Sequence, residues 1–189
     1  MTIVARIASE QMRIGWLIVA MGLLAVAGCG RKEVPPSPHP IVRPAPGEEA
    51  KPITPTRFME LSASSALFSI RAAELALERS SNAATRAAAQ RVLLDQRGIS
   101  SQLSFAGRRL NLLPPATLLP AHQDMLGQLA SAGDFDATWR TQQALVLGQS
   151  LALHRSYAVR GGSQTLRQVS EMAAPLLQRD LDEISRLSS

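Results

Sequence analysis

Leu61-Ser62-Ala63-Ser64-Ser65-Ala66-Leu67-Phe68-Ser69-Ile70-Arg71-Ala72-Ala73-Glu74-Leu75 sets the pattern for everything that follows it in the chain. Leu61, Ser65, Phe68, Ala72 and Leu75 recur at spacings of three and four, while Arg71, Glu74 and Glu78 fall mostly outside that stripe. Residues so spaced lie along one face of an α-helix, where another helix can cover them.

The same period returns downstream. Ser80-Ser81-Asn82 ends the first helix, and Asn82 is placed to cap the second. There Ala88, Val92, Ile99, Leu103, Ala106 and Leu110 form the stripe. Gly98 and Gly107 weaken this helix by about 1 kcal/mol each relative to Ala, and Leu112-Leu113-Pro114-Pro115 stops it. After Pro120, a short helix over Ala121 to Ala132 should turn Met125, Leu126 and Leu129 inward. Asp134 caps a long helix carrying Phe135, Trp139, Gln142, Val146, Leu153 and Tyr157. Gly161-Gly162 ends it, and Ser163 caps a last helix with Leu166, Val169, Ala173, Leu176, Asp180, Ile184 and Leu187 inward. No stretch alternates as a half-buried strand must. Four long amphipathic helices, two short turns and one longer crossover predict an all-α fold. The expected architecture is an antiparallel four-helix bundle over residues 57–189, with one short extra helix in the crossover.

Composition agrees. Apolar residues make up 46% of the chain but aromatics only 4%, so the core must be built from Ala, Leu, Val and Ile. From Arg57 onward 14 Arg face 11 acids. That excess is spread along helices and forms no clustered basic stripe, which argues against nucleic acid as a partner. The single cysteine excludes an intrachain disulfide and any Cys-based metal cage.

That cysteine has a telling position. Met1 to Arg13 carries two arginines, and Ile14 to Ala27 is fourteen residues without a charge. A basic start, a short apolar core and small residues at its end make a secretory signal over residues 1–28. The run is shorter than the roughly 20 residues a spanning helix needs. Val26-Ala27-Gly28-Cys29 resembles the bacterial lipoprotein signal, in which the thiol accepts a diacylglycerol, cleavage falls just before it and the new amino end is acylated. Several acyl chains anchor stably where one does not. Gly30 stands where the usual inner-membrane retention signal has Asp, so the resemblance implies an outer-membrane lipoprotein with a periplasmic domain, held to the membrane through Cys29. Residues 29–56 hold eight of the twelve prolines, which remove amide donors and fix φ, so a disordered, extended tether is expected.

Candidate chemistry in the bundle is sparse. His122 suits a cap or surface role, and His154 borders the fourth helix's stripe as an edge residue. Asp95 and Asp180 fall on or near inward faces, where a carboxylate is costly unless it is protonated or paired, as by a neighbouring arginine such as Arg71 or Arg91. No serine has a His and an acid in a recognisable arrangement, and no Gly-rich phosphate loop occurs. Trp139 and Tyr157 fit core packing. The residues give no reason to expect an enzyme or a cofactor.

Glu74-Leu75-Ala76-Leu77, Arg86 through Asp95, Leu126 and Leu129 before Asp134-Phe135-Asp136 and Trp139, Gln143, Leu151-Ala152-Leu153 through Ser156-Tyr157-Ala158, and Pro175-Leu176-Leu177-Gln178 together resemble a family of exported bacterial helical proteins. That family is described as outer-membrane proteins or as a domain of unknown function, serial number four-one-four-two, with a ferritin-like bundle. The resemblance runs from Phe58 to Leu187. It implies that four bundle-centre positions converge: a Glu where this chain has Ser69, an Asp-His where it has Asp95-Gln96, and histidines where it has Leu147 and Asp180. Those family side chains suit a metal. Two carboxylates without an imidazole make a poor transition-metal site, so the resemblance implies a degenerate centre here, with Asp180 bonded to Gln96. The leading expectation is a lipid-anchored, non-enzymatic interaction or structural bundle with an envelope protein or polymer as partner. The alternatives are a metal- or redox-linked stress protein using Asp95 and Asp180, and a binder of anionic envelope polymers through Arg108-Arg109, Arg155 and Arg160.

Overall fold

The structure, a computed structural model, describes residues 52–187. The leader, Cys29 and most of the proline-rich tether lie outside the described residues. Among the described residues every regular element is a helix: α1 (Pro55–Arg79), α2 (Ala83–Leu110), α3 (Pro120–Ser131), α4 (Phe135–Arg160) and α5 (Gln164–Arg186). None of them is long and apolar enough to cross a membrane.

Local chemistry sets most of the boundaries. Asn82, Asp134 and Ser163 each accept backbone N–H groups at the head of α2, α4 and α5, as their side chains allow. α1 starts at Pro55, ahead of the expected Arg57, because Thr54 caps it and Pro55 supplies a helix-compatible φ in the first turn. α2 ends at Leu110, before the prolines, because Asn111 turns left-handed with φ 52°. The Leu112 N–H then bonds back to the Gly107 carbonyl at 2.8 Å. A Cβ on Gly107 would lie 2.5 Å from the Leu112 oxygen, so this glycine permits the wrap and is more than a weak point in the helix.

The four long helices form a ring of antiparallel neighbours. α1 turns into α2, and α4 turns into α5. Trp139 Nε1 donates to the Ala72 carbonyl at 3.0 Å and Gln143 Nε2 to the Ser69 carbonyl at 3.2 Å, which runs α4 against α1. Asp95 with Arg179, and Arg91 with Glu183, run α2 against α5. α2 and α4 are therefore parallel and diagonal, and the segment holding α3 crosses between them. Ala72, Ala73, Ala76, Ala88 and Ala89 are fully or almost fully buried, and their small size lets α1 and α2 approach closely. Phe58, Phe68, Trp139 and Tyr157 fill the wider spaces. Arginines close helix ends: Arg79 donates to the Leu129 and Ala130 carbonyls of α3 and lies over the Phe135 ring, and Arg167 donates to the Gly161 carbonyl.

Several inward assignments change: Leu61, Leu75, Met125, Leu126 and Leu187 are only partly buried, and three others shift further. Leu110 is partly exposed at the end of α2. In α5 it is Leu177, between Ala173 and Asp180, that is fully buried, and Leu176 lies at the margin. In α4, Leu153 is only partly buried, whereas Gln143, Leu147, Ser150 and His154 join the core.

Candidate functional site

Each long helix sends one of the implied central positions into the bundle. Ser69, Gln96, Leu147 and Asp180 are all buried, and Asp95 is partly so. The contacts between helices put them at one height. Gln143 of α4 meets Ser69 of α1. Gly148 faces Leu181, with an ideal Cβ 4.0 Å from Cδ2, which levels Leu147 with Asp180. Asp95 of α2 meets Arg179 of α5. The four positions thus fall within about one helical turn of one another.

What they form is a closed polar layer. Asp180 is 0% exposed, and neither carboxyl oxygen has a partner at hydrogen-bonding geometry. Ser69 Oγ, Gln96 Nε2 and Gln143 Oε1 are buried and unpartnered as well. Gln96 lies close enough to Asp180 to favour its charged form, although no bond between them meets strict hydrogen-bond geometry. Burial first, then the neighbouring Asp95 carboxylate, pushes the Asp180 carboxyl up to about 8, against the opposing pull of Arg179 and Gln96. At neutral pH Asp180 is therefore mostly the uncharged acid, which removes the cost of a buried anion. Arg179 belongs to Asp95, whose hydrogen bond raises the guanidinium still further. The expected pairing by Arg71 or Arg91 is corrected: Arg91 pairs with Glu183.

This centre does not fit a transition metal. Leu147 offers no donor, Ser69 only a neutral hydroxyl, and Asp180 holds its proton. Among the described residues no group of three or more His, Cys, Asp or Glu side chains comes together to hold a metal ion.

Both histidines of the bundle differ from their sequence expectations. His154 is 0% exposed, edge-on to Phe58 with ring centroids 5.2 Å apart, and neither nitrogen has a partner. Burial drops it to about 4, so it is neutral in the fold. Hydrophobic periodicity misplaced it because the inward face of α4 is itself polar, with Gln142, Gln143, Ser150 and His154, while Leu145 and Val159 point outward. His122 is 9% exposed and no surface cap. Its Nδ1 lies 2.7 Å from Ser64 Oγ, which also accepts the Leu119 N–H at 2.8 Å. Sequence reasoning missed this pair, since the partners are 58 residues apart and no local spacing announces them. The arrangement is not a nucleophile and base. Ser64 is 1% exposed, Leu119 covers its oxygen, and no carboxylate is bonded to the ring.

Arg155 donates to Gln178 at 2.8 Å and lines a surface groove of about 550 Å³ with Arg179 and Arg186. Arg160 bonds Ser156. Arg108 and Arg109 lie in the last turn of α2, where they complement the helix's negative end. Because α2 and α4 run parallel, Arg108, Arg109 and Arg160 share one end of the bundle, with Arg155 just over one turn back along α4.

A solved structure described as "CopM in the Cu(II)-bound form" shares the fold, with a TM-score of 0.61 at 15% identity over 72% of this chain and 96% of that one. No curated protein matches the chain. The family model "Domain of unknown function (DUF4142)" matches residues 42–187, most of the chain, and the chain belongs to that family.

Proposed function

We propose that the protein is a lipid-anchored component of the bacterial envelope, whose helical bundle serves as a non-enzymatic interaction or structural module. The observation that carries this is the place of Cys29, the chain's only cysteine, at the end of a fourteen-residue uncharged run and behind two small residues. A thiol there is an acyl acceptor with no competing structural duty. The proline-rich segment after it supplies a spacer of up to roughly 80 Å in extended form, enough for the bundle to meet a partner away from the membrane. Gly30 after the cysteine favours the outer membrane over the inner one. Replacing Cys29 with Ser tests the anchor: the variant should accumulate as unprocessed precursor, and a variant that still matures and fractionates with membranes overturns the proposal.

A second reading is favoured by one observation, the Cu(II)-bound state of the structural neighbour. In that reading the bundle handles copper, with Asp95 and Asp180 as the acids at its centre. The donor set weighs against it, because Leu147 and Ser69 occupy two of the four positions. Elemental analysis of the purified protein separates the two. One copper per chain that is lost in Asp180→Ala supports the copper reading, and substoichiometric metal of every kind removes it.

A further inference from the structure

A cavity of about 350 Å³ lies between α1, the start of α3 and α4, away from the central layer. Leu61, Leu119 and Leu153 supply apolar wall, and Ser65, His122 and Arg57 supply polar groups. Two of those polar residues are more than nine-tenths buried: Ser65 at 7% exposure and His122 at 9%.

The hydrogen bonds define what His122 offers. Ser64 Oγ accepts the Leu119 N–H at 2.8 Å, and His122 Nδ1, 2.7 Å away, is the acceptor available to the Ser64 hydroxyl proton. Giving the Ser64 hydroxyl proton to Nδ1 assigns the neutral ring's own proton to Nε2. Burial lowers the affinity of the ring for a second proton, in keeping with that form. Nε2–H has no partner among the described residues, yet it is not sealed in protein, unlike both nitrogens of His154. Ser65 Oγ is likewise unpartnered and not sealed. Arg57 gives one N–H to Glu60 at 3.1 Å and keeps others free at the rim. The cavity thus presents donors from an imidazole, a hydroxyl and a guanidinium above a leucine-lined wall, and a carboxylate with a short apolar body matches both halves.

We propose that this cavity is a binding site for a small amphipathic carboxylate, with the carboxylate on His122 Nε2–H and Arg57 and the alkyl body against Leu61, Leu119 and Leu153. Ser64 is a positioning residue, since it holds the imidazole in the donating tautomer. The site is independent of the anchor at Cys29, and either can fail without the other.

Hexanoate is a suitable probe, with hexanol as the uncharged control. The chain has three histidines, so full-length protein in phospholipid nanodiscs, labelled with ¹³C in histidine, gives a simple side-chain spectrum. Hexanoate should move the His122 signal saturably and leave that of the sealed His154 in place, and hexanol should bind at least about tenfold more weakly. Arg57→Gln, at an exposed position, should weaken hexanoate about fivefold or more with the spectrum otherwise unchanged. Leu153→Trp, which fills the cavity, should abolish the shift while His122 keeps its unliganded signal. Absence of a saturable His122 shift overturns the proposal. So does hexanol binding as tightly as hexanoate, or full hexanoate affinity in Leu153→Trp.

Discussion

Asp180 and His154 are buried ionisable groups shifted in opposite senses, and they pull stability in opposite directions with pH. The Asp180 carboxyl rises from 3.8 to about 8 in the fold, so the folded state holds the proton more tightly than the unfolded chain. Its contribution is fully present below about pH 4 and is lost as pH rises through about 8. His154 falls from 6.5 to about 4, so its contribution is present above pH 6.5 and is lost as pH falls towards 4. Between those limits the two slopes oppose each other, and from about pH 6.5 to 8 Asp180 acts alone. Urea melts across that upper window should show wild-type stability falling with pH, and Asp180→Asn should flatten the fall and leave the variant about 1–3 kcal/mol more stable than wild type at its alkaline end. In His154→Gln the loss below pH 6.5 should disappear instead. Of these two residues, only Asp180 was legible as buried from its place in an apolar stripe. His154 was not, because Gln142, Gln143 and Ser150 share the inward face of α4 with it and blur the apolar stripe.

At the scale of the element, helix starts were the most legible feature, because a cap is local chemistry. A side-chain oxygen reaches backbone amides two or three residues on, as at Asn82, Asp134 and Ser163. Asn82→Ala should cost about 1 kcal/mol in thermal or urea unfolding. Helix ends and long-range bonds were less legible. The two glycines of α2 look alike in sequence but differ in the fold, since nothing lies within 4 Å of a Cβ on Gly98, whereas one on Gly107 meets the Leu112 carbonyl. Gly98→Ala should therefore stabilise the protein by about 0.5–1 kcal/mol, and Gly107→Ala should destabilise it by about 1–3 kcal/mol. Equal stabilisation by both would show that the wrap after α2 does not press on Gly107. Trp139 was expected in the core by its position, but its bond to the Ala72 carbonyl joins helices 67 residues apart and no spacing could reveal it.

At the scale of the whole molecule, the period of the apolar stripes and the lengths of the turns were enough for the architecture. Two short turns make antiparallel hairpins, and a connection as long as that from Asn111 to Asp134 allows α4 to lie diagonal to α2. Of the central positions Asp180 stood out by its place in an apolar stripe, whereas Ser69, Gln96 and Leu147 were legible only through the family resemblance. In the fold Ser69, Gln96, Leu147 and Asp180 are closed off inside the bundle, and the lateral cavity beside His122 lies apart from them. The proposed anchor at Cys29 would define where the bundle works. Intact-mass analysis of the mature protein extracted from its native envelope tests this directly. The account predicts a chain that begins at Cys29 and carries diacylglycerol and an amino-terminal acyl chain, and a mature chain that keeps residues 1–28, or that carries an unmodified Cys29, would contradict it.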